Sequence, residues 1–312
     1  MKTVFMGSPD FAVPSLEKLY KMGFDIAGVV TQPDRPKGRG KKLLPTPVKI
    51  FAQSAGLKIF QPEKIKTPEF IRLLRNLSPQ VIVVVAFGQL LSPELLQIPQ
   101  FGCINVHASL LPKYRGAAPI HRAVINGEKV TGVTTMYMDE GLDTGDMILS
   151  QELPVEKQDT VGMVHDRLAV LGAEVLERTL QLVDDGEAPR QKQQDSSATY
   201  APLLTKADEI INWHSSAREI CNHIRGMNPW PGTCTYLDGQ VIKIWQATYG
   251  KRLVDAIGLP GQVMASDAGG IIIQAGQDQV CIKELQLQCC KRMMTADFLR
   301  GKQIPEGRCL GD

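Results

Sequence analysis

The run CINVHASLLP, residues 103–112, sets an asparagine and a histidine two residues apart at the end of an apolar, strand-like pattern. Side chains alternate along a strand, so Asn105 and His107 project from one face and Val106 from the other. An asparagine amide donates to an oxygen gathering negative charge, and an imidazole donates or exchanges a proton near neutral pH. The pair suits a carbonyl carbon passing through a tetrahedral state. An Asn/His pair that merely ties down a strand end accounts for the spacing equally well. Further on, DEGLDTGD supplies Asp139, Glu140, Asp143 and Asp146, and a carboxylate beside His107 would fix its tautomer and favour its charged form. Other chemistries fit less well. Ser109 lacks a GxSxG elbow, no cysteine adjoins His107, and neither EF-hand nor Cys/His zinc spacing is present. Noncovalent acyl transfer without a metal is the best fit, with the acyl group unspecified.

The elements that must position these residues alternate. KTVFMG, DIAGVVTQ, LKIFQ, VIVVVAF and CINVHAS read as strands, with helical patterns over Pro14–Met22, Val48–Ala55 and Glu69–Leu77 between several of them. Strands separated by helices predict right-handed βαβ units and a Rossmann-like, mostly parallel sheet. VIVVVA is apolar throughout, as a central strand covered on both faces requires. Ligands of such sheets sit beyond the carboxyl ends of the strands, which puts GSPDF, TQPDRP, AFGQLL and NVHASLLP on one rim. A nicotinamide nucleotide is not expected. GSPDFA is not GxGxxG, and Pro9 removes an amide donor where a pyrophosphate would have to approach.

TGVTTMYMDEGLDTGDMILSQELPV reads as two strands joined by a Gly/Asp loop, followed by a helix from about Thr160 to Asp184. A polar stretch without periodicity then reads as a surface linker. The predicted division is a catalytic domain over 1–189, a linker over 190–207 and a smaller OB-like β-barrel domain over 208–312. Within that last domain Asp238-Gly239 marks a hairpin.

A second feature lies in QPDRPKGRGKKLLP. Arg35, Lys37, Arg39, Lys41 and Lys42 against Asp34 alone give residues 34–42 a net charge of +4, in a chain whose net charge is +2. Pro36, Gly38 and Gly40 exclude a regular helix, so this is a basic loop suited to phosphate contacts, or else a solvated surface loop. The chain has 312 residues, enough for about two domains. No apolar run approaches the ~20 residues of a membrane span, and the N-terminus has no signal-peptide pattern. Seven irregularly spaced cysteines suggest reduced thiols in a cytoplasm. No self-complementary apolar stripe is visible, so a monomer is expected.

NVHASLLPKYRGAAPI followed by GLDTGDM resembles the folate-dependent formyltransferases. SPDFAVPSL, TQPDRPKGRGKKLLPTPVK and NPWPGTCTYLDGQVIKIW are similar to the branch of that family whose acceptor is initiator methionyl-tRNA, so the resemblance covers essentially the whole chain. It implies that Asn105, His107 and Asp143 are the catalytic trio and that 10-formyltetrahydrofolate is the formyl donor. Asn105 and a protonated His107 would stabilise the oxyanion formed when an amine attacks the formyl carbon. Asp143 would orient His107 and help the amine's proton leave. It further implies folate contacts at Ser109, Leu110, Leu111 and Pro112, and a pterin pocket lined by backbone of Ala86, Phe87, Gly88, Gln89 and Leu90. Arg35, Lys37, Arg39, Lys41 and Lys42 would close on the acceptor stem, with Lys243, Lys251, Arg252, Lys291 and Arg292 as further contacts in the C-terminal domain.

Trp230, between two prolines, is expected to be a buried anchor of the second domain. Arg115 either touches substrate or holds its turn, and Cys289-Cys290 reads as a reduced pair in or near a strand. Two rival readings remain. One is a formyltransferase of a small amine such as an amino sugar nucleotide, which leaves the basic loop without a purpose. The other is an RNA-binding module on a degenerate enzyme fold, against which an intact trio argues.

Overall fold

The computed structural model describes residues 1–37, 42–251 and 253–311, with the side chain of Lys37 also outside the description. The chain divides into two units. The first comprises Met1–Pro119, Val130–Pro154 and His165–Ala201; the second comprises Ile120–Lys129, Val155–Val164 and Pro202–Asp312.

The first unit contains β1 (Lys2–Gly7), β2 (Asp25–Val30), β3 (Arg35–Lys37), β4 (Lys42–Leu44), β5 (Ile59–Phe60), β6 (Val81–Val85), β7 (Cys103–His107), β8 (Val130–Tyr137) and β9 (Met147–Pro154). Seven of these form one mixed sheet in the order β5-β2-β1-β6-β7-β8-β9. The pairings from β5 to β7 are parallel and those from β7 to β9 antiparallel. The turn 138–146 between β8 and β9 is too short for a parallel crossover, so that pair is antiparallel.

Helices α1 (Val13–Lys21), α2 (Pro47–Ser54) and α3 (Pro68–Leu77) lie between the early strands, and α4 (Pro93–Leu96) between β6 and β7. Thr46 and Thr67 start α2 and α3 by accepting hydrogen bonds from Lys49 N and Phe70 N, each with proline at the first helical position. One core joins Val4, Met6, Ile82 and Val84 to Phe70, Ile71, Leu74 and Leu95. Burial there pushes the Cys103 thiol up to about 12, so it packs as a small apolar group. After α5 (Pro119–Ile125), α6 (Val161–Asp184) backs the other face of the sheet. A Cβ on its Gly172 would sit 3.1 Å from Val106 Cγ1, and its Thr179 hydroxyl meets Thr135 Oγ1 at 2.7 Å. The helix therefore covers the strand face opposite Asn105 and His107.

The basic segment departs from a plain loop. β3 and β4 form an antiparallel ribbon with Arg35 opposite Leu44 and Lys37 opposite Lys42. Gly38, Arg39, Gly40 and Lys41 lie outside the described residues.

Much of the expected linker belongs to the first unit. Residues 191–201 bridge Met147 to Gln191 and Arg115 to Tyr200, and Arg115 binds Gln193 and Asp195 by its side chain. Such attachments leave no hydrophobic period to read.

The second unit has an antiparallel sheet in the order β10 (Thr233–Leu237), β11 (Gln240–Gly250), β14 (Gln279–Leu287), β13 (Gly270–Gln274), β12 (Val263–Asp267), with β15 (Met293–Met294) paired to β14. Asp238 and Gly239 turn the β10–β11 hairpin, both at positive φ. Its core draws on the sheet, on α7 (Ala217–Gly226) and on Phe298 of α8 (Thr295–Gly301). Trp213 rather than Trp230 is the buried indole. Trp213 is 4% exposed and donates to Thr235 Oγ1 at 2.9 Å, whereas Trp230 is 41% exposed and meets the His121 ring edge-on. Proline on both sides fixes a backbone; it does not select which way the side chain faces. Among the described residues, no helix is long and apolar enough to cross a membrane.

Asp208 shows how this unit is tied. The Thr205 amide first, then the Thr205 hydroxyl and the Arg122 guanidinium, hold its carboxyl at about 2 against the opposing effect of burial. A carboxyl held low in the folded state adds stability above its unfolded value near ~3.9 and loses it as pH falls towards the folded value. Asp208→Asn should therefore lower the urea midpoint at pH 7, and its gap from wild type should narrow between about pH 4 and pH 2. A gap that stays constant over that range would rule the ion out as the source.

Candidate active site

The parallel register places Val84 opposite Asn105, so the loops leaving β6 and β7 emerge side by side at the carboxyl edge of the sheet. On the antiparallel side, Asn105 faces Met136 and His107 faces Thr134. Thr134 is fully buried and fastens the next segment: its hydroxyl donates to Ser109 O at 2.8 Å and accepts from Leu111 N at 3.1 Å.

The turn between β8 and β9 carries four acids, and geometry separates them. Asp139 accepts from Gly141 N and Thr144 Oγ1 within the turn, Glu140 is exposed, and Asp146 lies 3.7 Å from Arg190 Nη1. Asp143 alone of the four is brought to the strand pair. Its Oδ2 accepts from Gly116 N at 2.8 Å and lies 3.6 Å from His107 Nδ1, while its Oδ1 is 3.4 Å from Asn105 Nδ2. Asp143 is at φ +54, a left-handed conformation aspartate tolerates better than most residues. The turn closes tightly enough that a Cβ on Gly145 would lie within bonding distance of Tyr137 O, so no other residue fits there.

His107 is 6% exposed, and its Nε2 lies 2.9 Å from Tyr114 O. A carbonyl oxygen only accepts, so Nε2 carries a proton. Nδ1 is then the edge turned to Asp143. At 3.6 Å the contact is too long for an ordinary hydrogen bond, which leaves Nδ1 uncommitted. The arrangement offers an amide donor, an imidazole edge and a carboxylate around one point of the rim. Among the described residues, no cluster of three or more His, Cys, Asp or Glu could hold a metal ion.

The chain matches the formyl transferase family model over residues 1–180 and the formyl transferase C-terminal domain model over 203–303. It is 56% identical to the methionyl-tRNA formyltransferase of Pelotomaculum thermopropionicum, with 100% of this chain and 99% of that one covered. The chain belongs to the methionyl-tRNA formyltransferase family. A second member, from Desulforamulus reducens, is 52% identical over 100% of this chain and 98% of its own. Among solved structures, an N-formyltransferase from Helicobacter canadensis in complex with folinic acid and dTDP-3-aminofucose superposes with a TM-score of 0.67. It is 20% identical and covers 90% of this chain and 99% of its own, a likeness of fold.

Within this formyltransferase the expected folate segments differ in what they leave free. The Ser109 hydroxyl donates to Lys113 O at 2.6 Å and is buried, as is Leu111; Leu110 and Pro112 are half-buried. Phe87 is buried and its carbonyl accepts from Gln32 Nε2 at 3.1 Å. The Gln89 side chain holds Ile65 N and Glu63 O, whereas Ala86, Gly88 and Leu90 are exposed, with Ala86 and Gly88 at positive φ.

At the basic segment, Arg35 pairs with Glu63 at 3.0 Å and Lys42 is exposed; Arg39, Lys41 and the Lys37 side chain are outside the described residues. Asp34 is an anchor: hydrogen bonds from Lys49 and then Gln61 hold its carboxyl below the usual carboxylate range. In the second unit, Lys243 donates to Pro231 O and lies over the Trp245 ring, and Arg292 grips Glu284 with both arms. Lys251 and Lys291 are exposed, and Arg252 lies outside the described residues.

Sequence reading missed Thr134, Gly116 and Gln193. Threonine and glutamine in polar surroundings carry no signal of their own, and Gly116 acts through its backbone. Arg115 is resolved as a structural residue, 2% exposed with its guanidinium bound to Gln193 and Asp195.

Thr134→Val removes a buried hydroxyl that serves one donor and one acceptor, so it should cost about 1–3 kcal/mol in denaturant unfolding, with Thr134→Ser recovering most of the loss. A valine variant as stable as wild type would mean that the Ser109–Leu111 turn is held by other groups.

Proposed function

We propose that the chain transfers a formyl group from 10-formyltetrahydrofolate to the α-amine of methionine on initiator methionyl-tRNA, giving N-formylmethionyl-tRNA for translation initiation in the cytoplasm. The observation that carries this reading is the convergence of Asn105, His107 and Asp143 at one rim point, in a chain that matches methionyl-tRNA formyltransferases along its whole length. The finer architecture fits the same picture: a Rossmann-like sheet as the catalytic domain, and an OB-like arrangement of short antiparallel strands as the tRNA-binding domain.

The donor set suits a formyl carbonyl. Asn105 Nδ2 has a second hydrogen beyond the one directed at Asp143, and it hydrogen-bonds the formyl oxygen as charge gathers there. His107, fixed through Nε2 on Tyr114 O, presents Nδ1 to the same region and, when protonated, offers an Nδ1–H donor together with positive charge. Asp143 balances that charge. Its carboxylate also takes the proton that the attacking amine must shed, directly or through one water. Collapse of the tetrahedral adduct then breaks the bond from the formyl carbon to the donor nitrogen, which takes up a proton and leaves as tetrahydrofolate. The exposed backbone at Ala86 and Gly88 is available to hold the pterin edge, with Phe87, Gln89 and Leu90 completing that loop and Ser109, Leu110, Leu111 and Pro112 forming the adjoining wall. The basic residues Arg35, Lys37, Arg39, Lys41 and Lys42 contact the acceptor stem, and the segment is anchored at Asp34 by the pair with Lys49.

A formyltransferase of an amino sugar nucleotide is the second reading, supported by a shared fold with such enzymes at 20–21% identity. It leaves the basic ribbon without a partner.

Asn105→Ala should slow single-turnover formyl transfer by about two to three orders of magnitude. A rate near wild type would remove Asn105 from the oxyanion role. Neutralising Arg39, Lys41 and Lys42 together should lower kcat/KM for charged tRNA and flatten its log–log salt slope by roughly 2–3. An unchanged slope would take the ribbon off the tRNA.

A further inference from the structure

Asp143 stands in a turn, with neither helix nor strand to hold it, and its carboxylate makes one short bond, from Gly116 N at 2.8 Å. Its distances to Asn105 and His107 are 3.4 Å and 3.6 Å, so where its main chain sits decides whether the carboxylate reaches them at all. That main chain is held by a residue from the polar stretch after α6. Gln193 Nε2 donates to Asp143 O at 2.8 Å and to Gly145 O at 2.9 Å, and its Oε1 accepts from Arg115 Nε at 3.0 Å. The amide orientation is unambiguous, because the two carbonyls can only accept and the guanidinium can only donate.

The other end of this chain of contacts is equally fixed. Arg115 is buried, its N–H donates to Thr199 O at 2.8 Å, and its carbonyl accepts from Ala201 N at 2.7 Å. Its neighbours supply the backbone groups that meet the trio: Tyr114 O accepts a hydrogen bond from His107 Nε2 and Gly116 N donates to the Asp143 carboxylate. Gly116 is at φ +119, and a Cβ there would lie 2.8 Å from Ala201 O. Residues 114–116 therefore touch Asp143 twice, at the carboxylate through Gly116 and at the main chain through Arg115 and Gln193.

From this two-point attachment we infer that Gln193 is a positioning residue of the formyl-transfer site, setting the place of the Asp143 carboxylate against Asn105 and His107. It acts through Asp143 and touches no substrate. The kinetic part of its test rests on the function proposed above; the spectroscopic part does not.

Gln193→Leu keeps the bulk and removes both halves of the amide, whereas Gln193→Glu keeps the acceptor for Arg115 and removes the donors to the turn. Each should lower kcat by about tenfold to a hundredfold, the scale of a misplaced reacting group, with KM for charged tRNA within about twofold of wild type. In an Asp143→Asn background the same change should cost less than about twofold, because its target is already disabled. An equal loss in both backgrounds would show that Gln193 does not act through Asp143. Independently of turnover, the imidazole 15N resonances of His107 in Gln193→Leu should move towards those of Asp143→Asn. Resonances that stay at the wild-type position would overturn the inference. If Gln193→Leu does not fold, Gln193→Glu carries both measurements. If wild type fails to formylate charged tRNA, the functional reading falls, and the His107 resonances still decide the role of Gln193.

Discussion

The site depends on one carboxylate reaching across from a turn to a strand end. Asp143 belongs to the antiparallel connection β8–β9, whereas Asn105 and His107 belong to β7, and the Gly116 amide is the short hydrogen bond that joins the two sides. Buried or half-buried polar groups are tolerated when each has a partner, and costly otherwise. Here the partners are backbone groups of residues 114–116. The loop after β7 is therefore part of the site's frame as well as its wall.

The rest of the first unit can be understood as what holds that frame. Parallel strands bring the AFGQLL and NVHASLLP loops to one edge; β8 runs back along β7 to end beside Ile104, and from the turn 138–146 that follows the Asp143 carboxylate reaches Asn105 and His107. α6 covers Val106 on the opposite face, so the strand's alternation becomes a division between packing and chemistry. Thr134, opposite His107, ties the Ser109–Leu111 turn back to the sheet. Residues 191–201 then bind both loops from outside by backbone and side-chain hydrogen bonds.

What could be read in the sequence follows the physics of each signal. Strand alternation carried Asn105 and His107, and the uniform apolarity of residues 81–85 marked a central strand, because periodicity and burial are written in side-chain type. Spacing alone left four acids open, and Asp143 was singled out by family pattern; the geometry that distinguishes it from Asp146 is a backbone amide twenty-seven residues away. The polar stretch after α6 looked like a linker because Gln193, Asp195 and Thr199 attach by individual hydrogen bonds that leave no period. The prolines on both sides of Trp230 suggest a packed anchor, but Trp213 has the buried hydroxyl partner, Thr235, that an indole N–H needs. The folate-facing groups were legible only as segments. Which of them remain free depends on internal bonds such as Ser109 to Lys113 O.

This frame serves formyl transfer to an amine carried on tRNA, and the choice of acceptor is the decisive measurement. Purified protein would be given 10-formyltetrahydrofolate with methionine-charged initiator tRNA, free methionine or an amino sugar nucleotide, and transfer of the formyl group to each would be measured. Formylation of the charged tRNA alone is the predicted result. Formylation of the amino sugar nucleotide, with the charged tRNA left unmodified, would contradict the account while leaving Asn105, His107 and Asp143 as the catalytic groups.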